Sequence, residues 1–424
     1  MKSIIAALLA ATVCAAAPAQ VPPLPELDDA IPQGPSFTLD QAMLQADDSS
    51  PARGLAEAGL RGAVAGRRVA GLRPNPSIGI ASENFAGNGQ YRGFDSAETT
   101  VSVDVPIELG GKRGARMALA GALAHRAQVD AAVARADMRL MVAQAYIAAI
   151  AAERRLAAAR TQSVIATQTE KAARVRVSAG EASPIDDQRA DLLRINAEAD
   201  VEKLERLALT ARGNLARLLG RPVAGAFDLA WFHHFEPAGP ARPIDAEGTL
   251  ALAAATADSE TAEAQVRLAR SLRVPDLAIG AGARRLAQTN DTVAVVSLSL
   301  PIPVRTSGTA AIAQASAERD KAVAQRRLAL IQAEQAIADV QAEVANAATT
   351  ARTANGPAIA VAREAARIAR IGYREGKFDQ TALLDVERSL TETRLAAVDA
   401  LAAYHEARAR LDRLTAAVPV ETSR

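Results

Sequence analysis

Hydrophobic and polar positions alternate over short stretches of this chain and recur every three or four residues over long ones. Residues 101–105 read Val-Ser-Val-Asp-Val, which predicts a strand with one apolar and one polar face. Pro106 is expected to end this strand. A proline-free helical pattern then runs from Ala115 to Ala179, ~100 Å at about 1.5 Å per residue. Its apolar seam, spaced as in a coiled coil, consists of Val129, Val133, Ala136, Leu140, Ala143, Ile147 and Ile150.

The same order of elements occurs twice, which indicates an internal duplication. The segment Leu72-Arg73-Pro74 matches Leu272-Arg273-Val274, and Gly180 matches Gly376, each about 200 residues further on. Gly356-Pro357 is expected to kink the second long helix. The predicted elements are helices at about 38–71, 115–179 and 184–219 with strands at about 77–85 and 98–105, and helices at about 245–272, 309–371 and 379–416 with strands at about 276–286 and 291–300.

The pattern also predicts how the chain is divided. A charged Lys2, an apolar run and Ala17-Pro18-Ala19 are typical of a signal peptide that is cleaved before Gln20. Cys14, the only cysteine, leaves lipidation open as an alternative. The predicted segments are a signal peptide (1–19), a proline-rich lead (20–36), a first repeat (37–220), an equatorial linker (221–244), a second repeat (245–418) and a tail (419–424).

Composition narrows the choice of partners. The formal net charge of +1 gives no electrostatic case for nucleic acid. Beyond the signal peptide no apolar run reaches the ~18 residues of a transmembrane helix, whereas the strands have the length that crosses a bilayer when tilted. Four strands cannot close a barrel, so the chain is expected to oligomerise, with eight strands from two copies or twelve from three. The alternative is a soluble coiled-coil spacer with two incidental hairpins.

These features resemble the outer membrane efflux protein (TolC) family. The motifs that carry the resemblance are residues 72–76 (Leu-Arg-Pro-Asn-Pro), residues 106–116 and the turns centred on Gly180 and Gly376. The resemblance implies a mainly α fold with a small β part, in which each half is a helix, a β-hairpin, a long helix and a shorter helix. It further implies a homotrimer that forms an α-helical barrel and a twelve-stranded transmembrane β-barrel. Such a protein lies in the outer membrane lipid and extends into the periplasm.

The turn at residues 108–113 (Glu-Leu-Gly-Gly-Lys-Arg) resembles the heavy-metal branch of that family, whose pumps export cobalt, zinc and cadmium. The matching turn, residues 303–308, departs from that branch's usual asparagine-containing form. The resemblance implies a passive, non-enzymatic channel that works with a periplasmic membrane fusion (adaptor) protein and an inner-membrane RND pump. A multidrug channel remains an alternative, as does an adaptor, although adaptors carry only one helical hairpin.

The residues that are candidates for a functional role lie at the two turns between helices. By the family's spacing, the periplasmic gate candidates are Asp186, Asp187, Tyr373 and Asp385, beside the turn glycines Gly180 and Gly376. The arginine that the family places two residues after the second glycine is absent, and Phe378 stands there. Helix capping by Asp186 is an equally good explanation for its position.

No catalytic, cofactor or metal motif stands out in the sequence. His233-His234 near Glu236 could suggest zinc, but adjacent histidines point in different directions and a packed linker is the favoured interpretation. His125 and His405 are each isolated on a predicted helix and are expected at the surface.

Overall fold

The computed structural model describes residues 36–49, 51–236, 244–304 and 307–418. The predicted signal peptide, the lead up to residue 35 and the tail lie outside these residues. The elements in chain order are β1 (Ser36–Phe37), α1 (Leu39–Ser49), α2 (Pro51–Ala70), β2 (Ser77–Glu83), β3 (Glu98–Ile107), α3 (Lys112–Ser178), α4 (Pro184–Leu219), β4 (Ala226–Phe227), α5 (Leu229–His233), α6 (Leu250–Ser271), β5 (Leu277–Leu286), β6 (Thr292–Ser299), α7 (Thr309–Thr353), α8 (Ile359–Arg374) and α9 (Gln380–Leu414).

Contacts divide the described chain into two compact units. We call residues 151–210 and 352–399 the tip unit, and residues 36–150, 211–351 and 400–418 the sheet unit. Many of the buried apolar side chains in both units are alanines, which allow helices to approach closely. None of the helices in the described ranges combines the length and the hydropathy needed to cross a membrane.

The sheet unit contains an antiparallel sheet in the order β2-β3-β5-β6. The two hairpins, one from each half of the chain, join where β3 pairs with β5 from Glu98–Leu286 to Ile107–Leu277. The expectation that Pro106 ends β3 is wrong, because Pro106 pairs with Ala278 inside the strand. The ladder with β2 stops at Ser77–Asp104, so β3 is an edge on that side and tolerates a residue without an N–H group.

The described part of the predicted helix at 38–71 consists of α1 and α2, and Ser50 between them lies outside the described residues. Pro51 is the first residue of α2, a position where its fixed φ suits a helix start. The second long helix is interrupted as expected. A π-helical turn at Ala354–Ala358 contains Gly356 and Pro357 and separates α7 from α8.

The turn at residues 108–113 clamps the start of α3 to the second half of the chain. Lys112, only 7% exposed, places Nζ 2.7 Å from a carboxylate oxygen of Asp276, which also accepts the Leu109 N–H at 3.1 Å. Gly110 has φ of +71°, and a Cβ there would overlap Val274. The glycine is therefore required both by backbone conformation and by space.

An aromatic cluster fixes the linker between the repeats inside the sheet unit. The Tyr146 hydroxyl donates to the Phe37 carbonyl at 2.7 Å and accepts the Asp228 N–H at 3.2 Å. The Tyr146 ring packs edge-on against Phe227 and Trp231, with centroids 5.2 and 5.4 Å away. The part of the linker around Phe227 and Trp231 is thus packed. Among the described residues, no group of three metal-ligating side chains is found.

His405 belongs to this cluster, so its expected surface position is wrong. The side chain is 6% exposed, and the ring stacks on Trp231 with centroids 4.1 Å apart. Its Nε2–H donates to the Phe232 carbonyl at 2.9 Å. Sequence spacing on α9 could not show this burial, because the covering residues come from the linker. His125 is half-buried, and its Nδ1 lies 3.0 Å from a carboxylate oxygen of Glu260.

We expect the protein to become less stable when the solution is acidified below about pH 6.5. Burial holds the pKa of His405 below its usual value near 6.5, and the neighbouring His234 and His233 lower it further. The unfolded chain therefore binds a proton first, so stability is complete above about pH 6.5 and is lost as pH falls toward the folded-state pKa. The His405→Gln variant, whose amide can still donate to Phe232, should lose less thermal stability than the unmodified protein between about pH 8 and about pH 5.5. Equal losses would contradict this assignment.

Candidate functional site

The first helical turn of the tip unit is closed by backbone hydrogen bonds around Gly180. This glycine has φ of +75°, its N–H donates to Val177 at 3.0 Å, and the next N–H, of Glu181, donates to Arg176 at 2.9 Å. These paired bonds form a Schellman motif, which ends helices at a left-handed residue. The chain therefore reverses within a few residues between α3 and α4.

Asp186 caps the helix that follows this turn. Its carboxylate accepts the Ser183 N–H at 3.2 Å, and the Ser183 hydroxyl accepts the Ile185 N–H at 3.4 Å. This reciprocal arrangement is a form of the capping box, with Pro184 at the first helical position. The capping role that the sequence left open is therefore present in the structure, and the carboxylate remains partly exposed.

The second turn repeats the first. Gly376 has φ of +69°, its N–H donates to Tyr373 at 3.1 Å, and the Lys377 N–H donates to Gly372 at 2.8 Å. Asp379 caps α9 by accepting the Ala382 N–H at 2.8 Å. Phe378, two residues after Gly376, lies against Gly372 so closely that a Cβ at Gly372 would overlap the Phe378 ring. An aromatic side chain thus packs within this turn.

Tyr373 connects the two turns. It is 8% exposed and packs with Ala369 and Leu383, while the guanidinium of Arg176 lies 5.0 Å from its ring centroid. This distance is that of a cation–π contact. The buried side chain of Gln380 adds a second link by donating to the Asp186 carbonyl at 3.1 Å. Both contacts join the end of the first hairpin to the end of the second.

The other two acidic candidates take no part in these two contacts. Asp187 faces Arg174 on α3, with a nitrogen-to-oxygen distance of 3.7 Å. Asp385 is exposed, and among the described residues it forms no ion pair. The structure therefore brings Tyr373 and the Asp186 turn together, but it does not bring Asp385 to them within one chain.

A buried ion pair joins α8 and α9, and no local sequence pattern predicts it. Glu387 on α9 is 2% exposed and accepts two hydrogen bonds from the Arg370 guanidinium of α8, at 2.5 and 2.9 Å. Such a two-pronged pair holds two helices in one register. Sequence reasoning also missed Arg176 and Gln380, because their partners lie about 200 residues away in the chain.

Comparison with known proteins identifies the family to which this chain belongs. Residues 45–221 and 246–417 match the family described as outer membrane efflux protein. The chain belongs to the outer membrane efflux protein family. It is therefore an outer-membrane channel component of an efflux system, and it extends from the outer membrane into the periplasm. Channels of this family are trimers that work with an adaptor and an inner-membrane pump, and family members are typically not enzymes.

Two curated relatives share much of the chain. The cobalt-zinc-cadmium resistance protein CzcC of Cupriavidus metallidurans is 29% identical over 385 residues, covering 89% of this chain and 90% of the relative. The nickel and cobalt resistance protein CnrC of the same organism is 29% identical over 316 residues, covering 74% and 71%.

A solved structure agrees in fold. The outer membrane protein VceC from Vibrio cholerae superposes with a TM-score of 0.72 at 20% sequence identity, covering 89% of this chain and 96% of that one. Family membership and fold confirm the mainly α class with a small β part. They also set aside the adaptor and the soluble coiled-coil spacer as alternatives.

Proposed function

We propose that this protein is the passive exit duct for heavy-metal cations in a tripartite efflux system driven by an RND pump. The observation that carries the proposal is the similarity to CzcC over nine-tenths of both chains, supported by the similarity to CnrC. The first is named for resistance to cobalt, zinc and cadmium, and the second for resistance to nickel and cobalt. The energy for transport comes from the pump, so the duct itself needs only a path and a gate.

We propose a homotrimer as the conducting form. The sheet of one chain ends at β2 and β6, each of which has a single neighbour among the described strands. Unpaired strand edges are not tolerated in lipid, so they must be closed by other copies. Three copies supply twelve strands, which leave a bore, whereas eight strands would be filled by their own side chains. The repeats at 37–220 and 245–418, joined by the linker at 221–244, then form the wall, and the signal peptide at 1–19 directs export.

We further propose that the tips of the helices form the periplasmic gate. The cation–π contact of Arg176 with Tyr373 and the hydrogen bond from Gln380 to the Asp186 carbonyl hold the two turns of one chain together. Asp385 is exposed, which leaves it free to meet a neighbouring chain. Threefold symmetry repeats each acidic residue as a ring of three, and such a ring concentrates cations at the entrance. The adaptor opens the gate by separating these contacts.

Loosening the gate should raise single-channel conductance in a planar bilayer. The double change Tyr373→Phe with Asp385→Ala removes a hydroxyl and a carboxylate that can link neighbouring hairpins, and Arg176→Gln removes the cation–π contact, which is worth about 0.5–2 kcal/mol. Asp186→Ala should separately lower cation selectivity and weaken block by multivalent cations. Arg388→Gln is the control, because Arg388 is exposed and contacts Glu392 on its own helix. Conductance and selectivity equal to the unmodified protein in every variant would show that these residues only cap helices.

The cargo is tested by deleting the gene and restoring it on a plasmid. We expect the deletion to sensitise cells to zinc, cobalt, cadmium or nickel, and the restored gene to reverse the effect. A strain that becomes sensitive only to a panel of organic drugs would instead identify the multidrug alternative.

Mass measurement of the detergent-extracted protein should show three copies, and a stable monomer or dimer would contradict the trimer.

A further inference from the structure

The two faces of the four-stranded sheet differ sharply in chemistry. On one face, successive cross-strand rows are apolar, such as Ile80–Val101–Ala283–Ala294 and Ile78–Val103–Ala281–Val296. The large side chains of this face are exposed in the single chain: Ile78 and Ile80 are each 75% exposed, and Val296 is 79% exposed. An exposed apolar sheet face in an outer-membrane protein belongs against lipid. The opposite face must therefore line the interior of the barrel.

The interior face carries four charged residues in the described strands. Arg284 is balanced by two of them, with nitrogen-to-oxygen distances of 2.8 Å to Glu98 and 3.6 Å to Glu83. Arg284 also donates to the Thr100 hydroxyl at 2.9 Å. This end of the face is a network of paired charges. The fourth residue, Asp104, lies two rows away on β3.

Asp104 has hydroxyl partners and no cationic one. One carboxylate oxygen accepts the Ser297 hydroxyl of β6 at 3.3 Å, and the other accepts the Ser102 hydroxyl at 3.1 Å. Within the described part of the chain Asp104 forms no ion pair with lysine, arginine or histidine. A carboxylate oxygen accepts more than one hydrogen bond or cation, so each oxygen retains capacity toward the interior.

Glycine creates the space in which this carboxylate lies. Gly280 stands between Asp104 and Ser297 in the row, and a Cβ there would overlap the side chains of both. The Asp104 carboxylate therefore lies across β5 and reaches β6, instead of extending freely from β3. A side chain held in this way presents its charge at one fixed depth of the barrel wall.

We propose that Asp104 is a charge-selectivity determinant of the channel, which favours cations inside the barrel. The proposal rests on the proposed function, because it takes the polar face of each of three chains to line one bore. Three Asp104 carboxylates then lie at one depth without cationic partners, and rings of carboxylates select cations in pores.

The test uses the full-length trimer reconstituted in a planar bilayer with a potassium chloride gradient. The reversal potential gives the ratio of potassium to chloride permeability. We expect Asp104→Asn to lower this ratio by about twofold or more, and Asp104→Glu to retain it, because the charge is kept. Glu364→Gln is the control, since Glu364 pairs with Arg367 on the exposed surface of α8, outside the sheet.

An unchanged permeability ratio in Asp104→Asn would overturn the proposal. If that variant forms no channels, Asp104→Ser removes the same charge with a smaller side chain, and its ratio decides the question in the same way. The outcome is distinguishable from failure of the proposed function. A channel for organic compounds would show no metal sensitivity on deletion, yet the effect of Asp104 on potassium and chloride would remain measurable.

Discussion

Replacing Arg370 with alanine should lower the local free energy of unfolding of α8 and α9 by about 3–5 kcal/mol. The change leaves the Glu387 carboxylate, which is 2% exposed, without the guanidinium that supplies both of its hydrogen bonds. A buried charge without a partner is far more costly than the loss of an exposed one. Hydrogen exchange of the two helices, measured by mass spectrometry in detergent, reports this local stability.

The chain offers a matched control for this effect. Arg388 lies on α9 and pairs with Glu392, but its side chain is 79% exposed, so Arg388→Ala should cost less than about 0.5 kcal/mol. Replacing both members of the buried pair, Arg370→Met with Glu387→Leu, should recover most of the stability because no charge is then left buried. Similar exchange rates in Arg370→Ala and Arg388→Ala would show that the buried pair does not stabilise the tip unit.

Gly282→Ala should nearly abolish assembly in the outer membrane. Gly282 on β5 lies opposite Ser102, and a Cβ at this position would overlap the Val101 carbonyl oxygen and the Ser102 Cα of β3. These are backbone atoms in the ladder that joins the two halves of the chain, so relief requires the ladder to open. Each backbone group left unpaired in lipid costs several kcal/mol.

The adjacent residue provides the comparison for this prediction. Ala281 is exposed on the apolar face. The Ala281→Val variant adds two carbon atoms that face lipid, so this variant should assemble normally. The measurement is the amount of trimer in the detergent-extracted outer-membrane fraction. Normal trimer yield from Gly282→Ala would mean that the β3–β5 ladder adjusts to the added carbon, and that glycine is not required there.

The sequence is most informative where a local signal sets the structure. The long α3 helix follows from the absence of proline and from the apolar seam, in which Val129 and Ile150 are buried as expected. The turns follow from Gly180 and Gly376, because a left-handed backbone favours glycine wherever the fold needs one. These features depend on residues close together in the chain, which is why hydrophobic periodicity and the positions of glycine and proline predict them.

Contacts between distant segments were not predictable in the same way. Arg176 and Arg370 look like ordinary surface charges of a helix until α8 and α9 place Tyr373 and Glu387 beside them. His405 looks exposed until the linker covers it, and Pro106 looks like a strand end until β5 pairs beyond the point where β2 stops. In each case the deciding partner is remote in sequence, so local pattern favours the wrong environment.

The open edges of the sheet have a consequence for how the channel is made. A single exported chain exposes the bare strands β2 and β6 and a broad apolar surface before it meets two others. Such surfaces pair with any available strand, so productive association competes with aggregation from the moment of export. The amount of assembled channel should then depend on how many unassembled chains are present at the same time. When few chains are made, this amount should increase more steeply than the rate of synthesis.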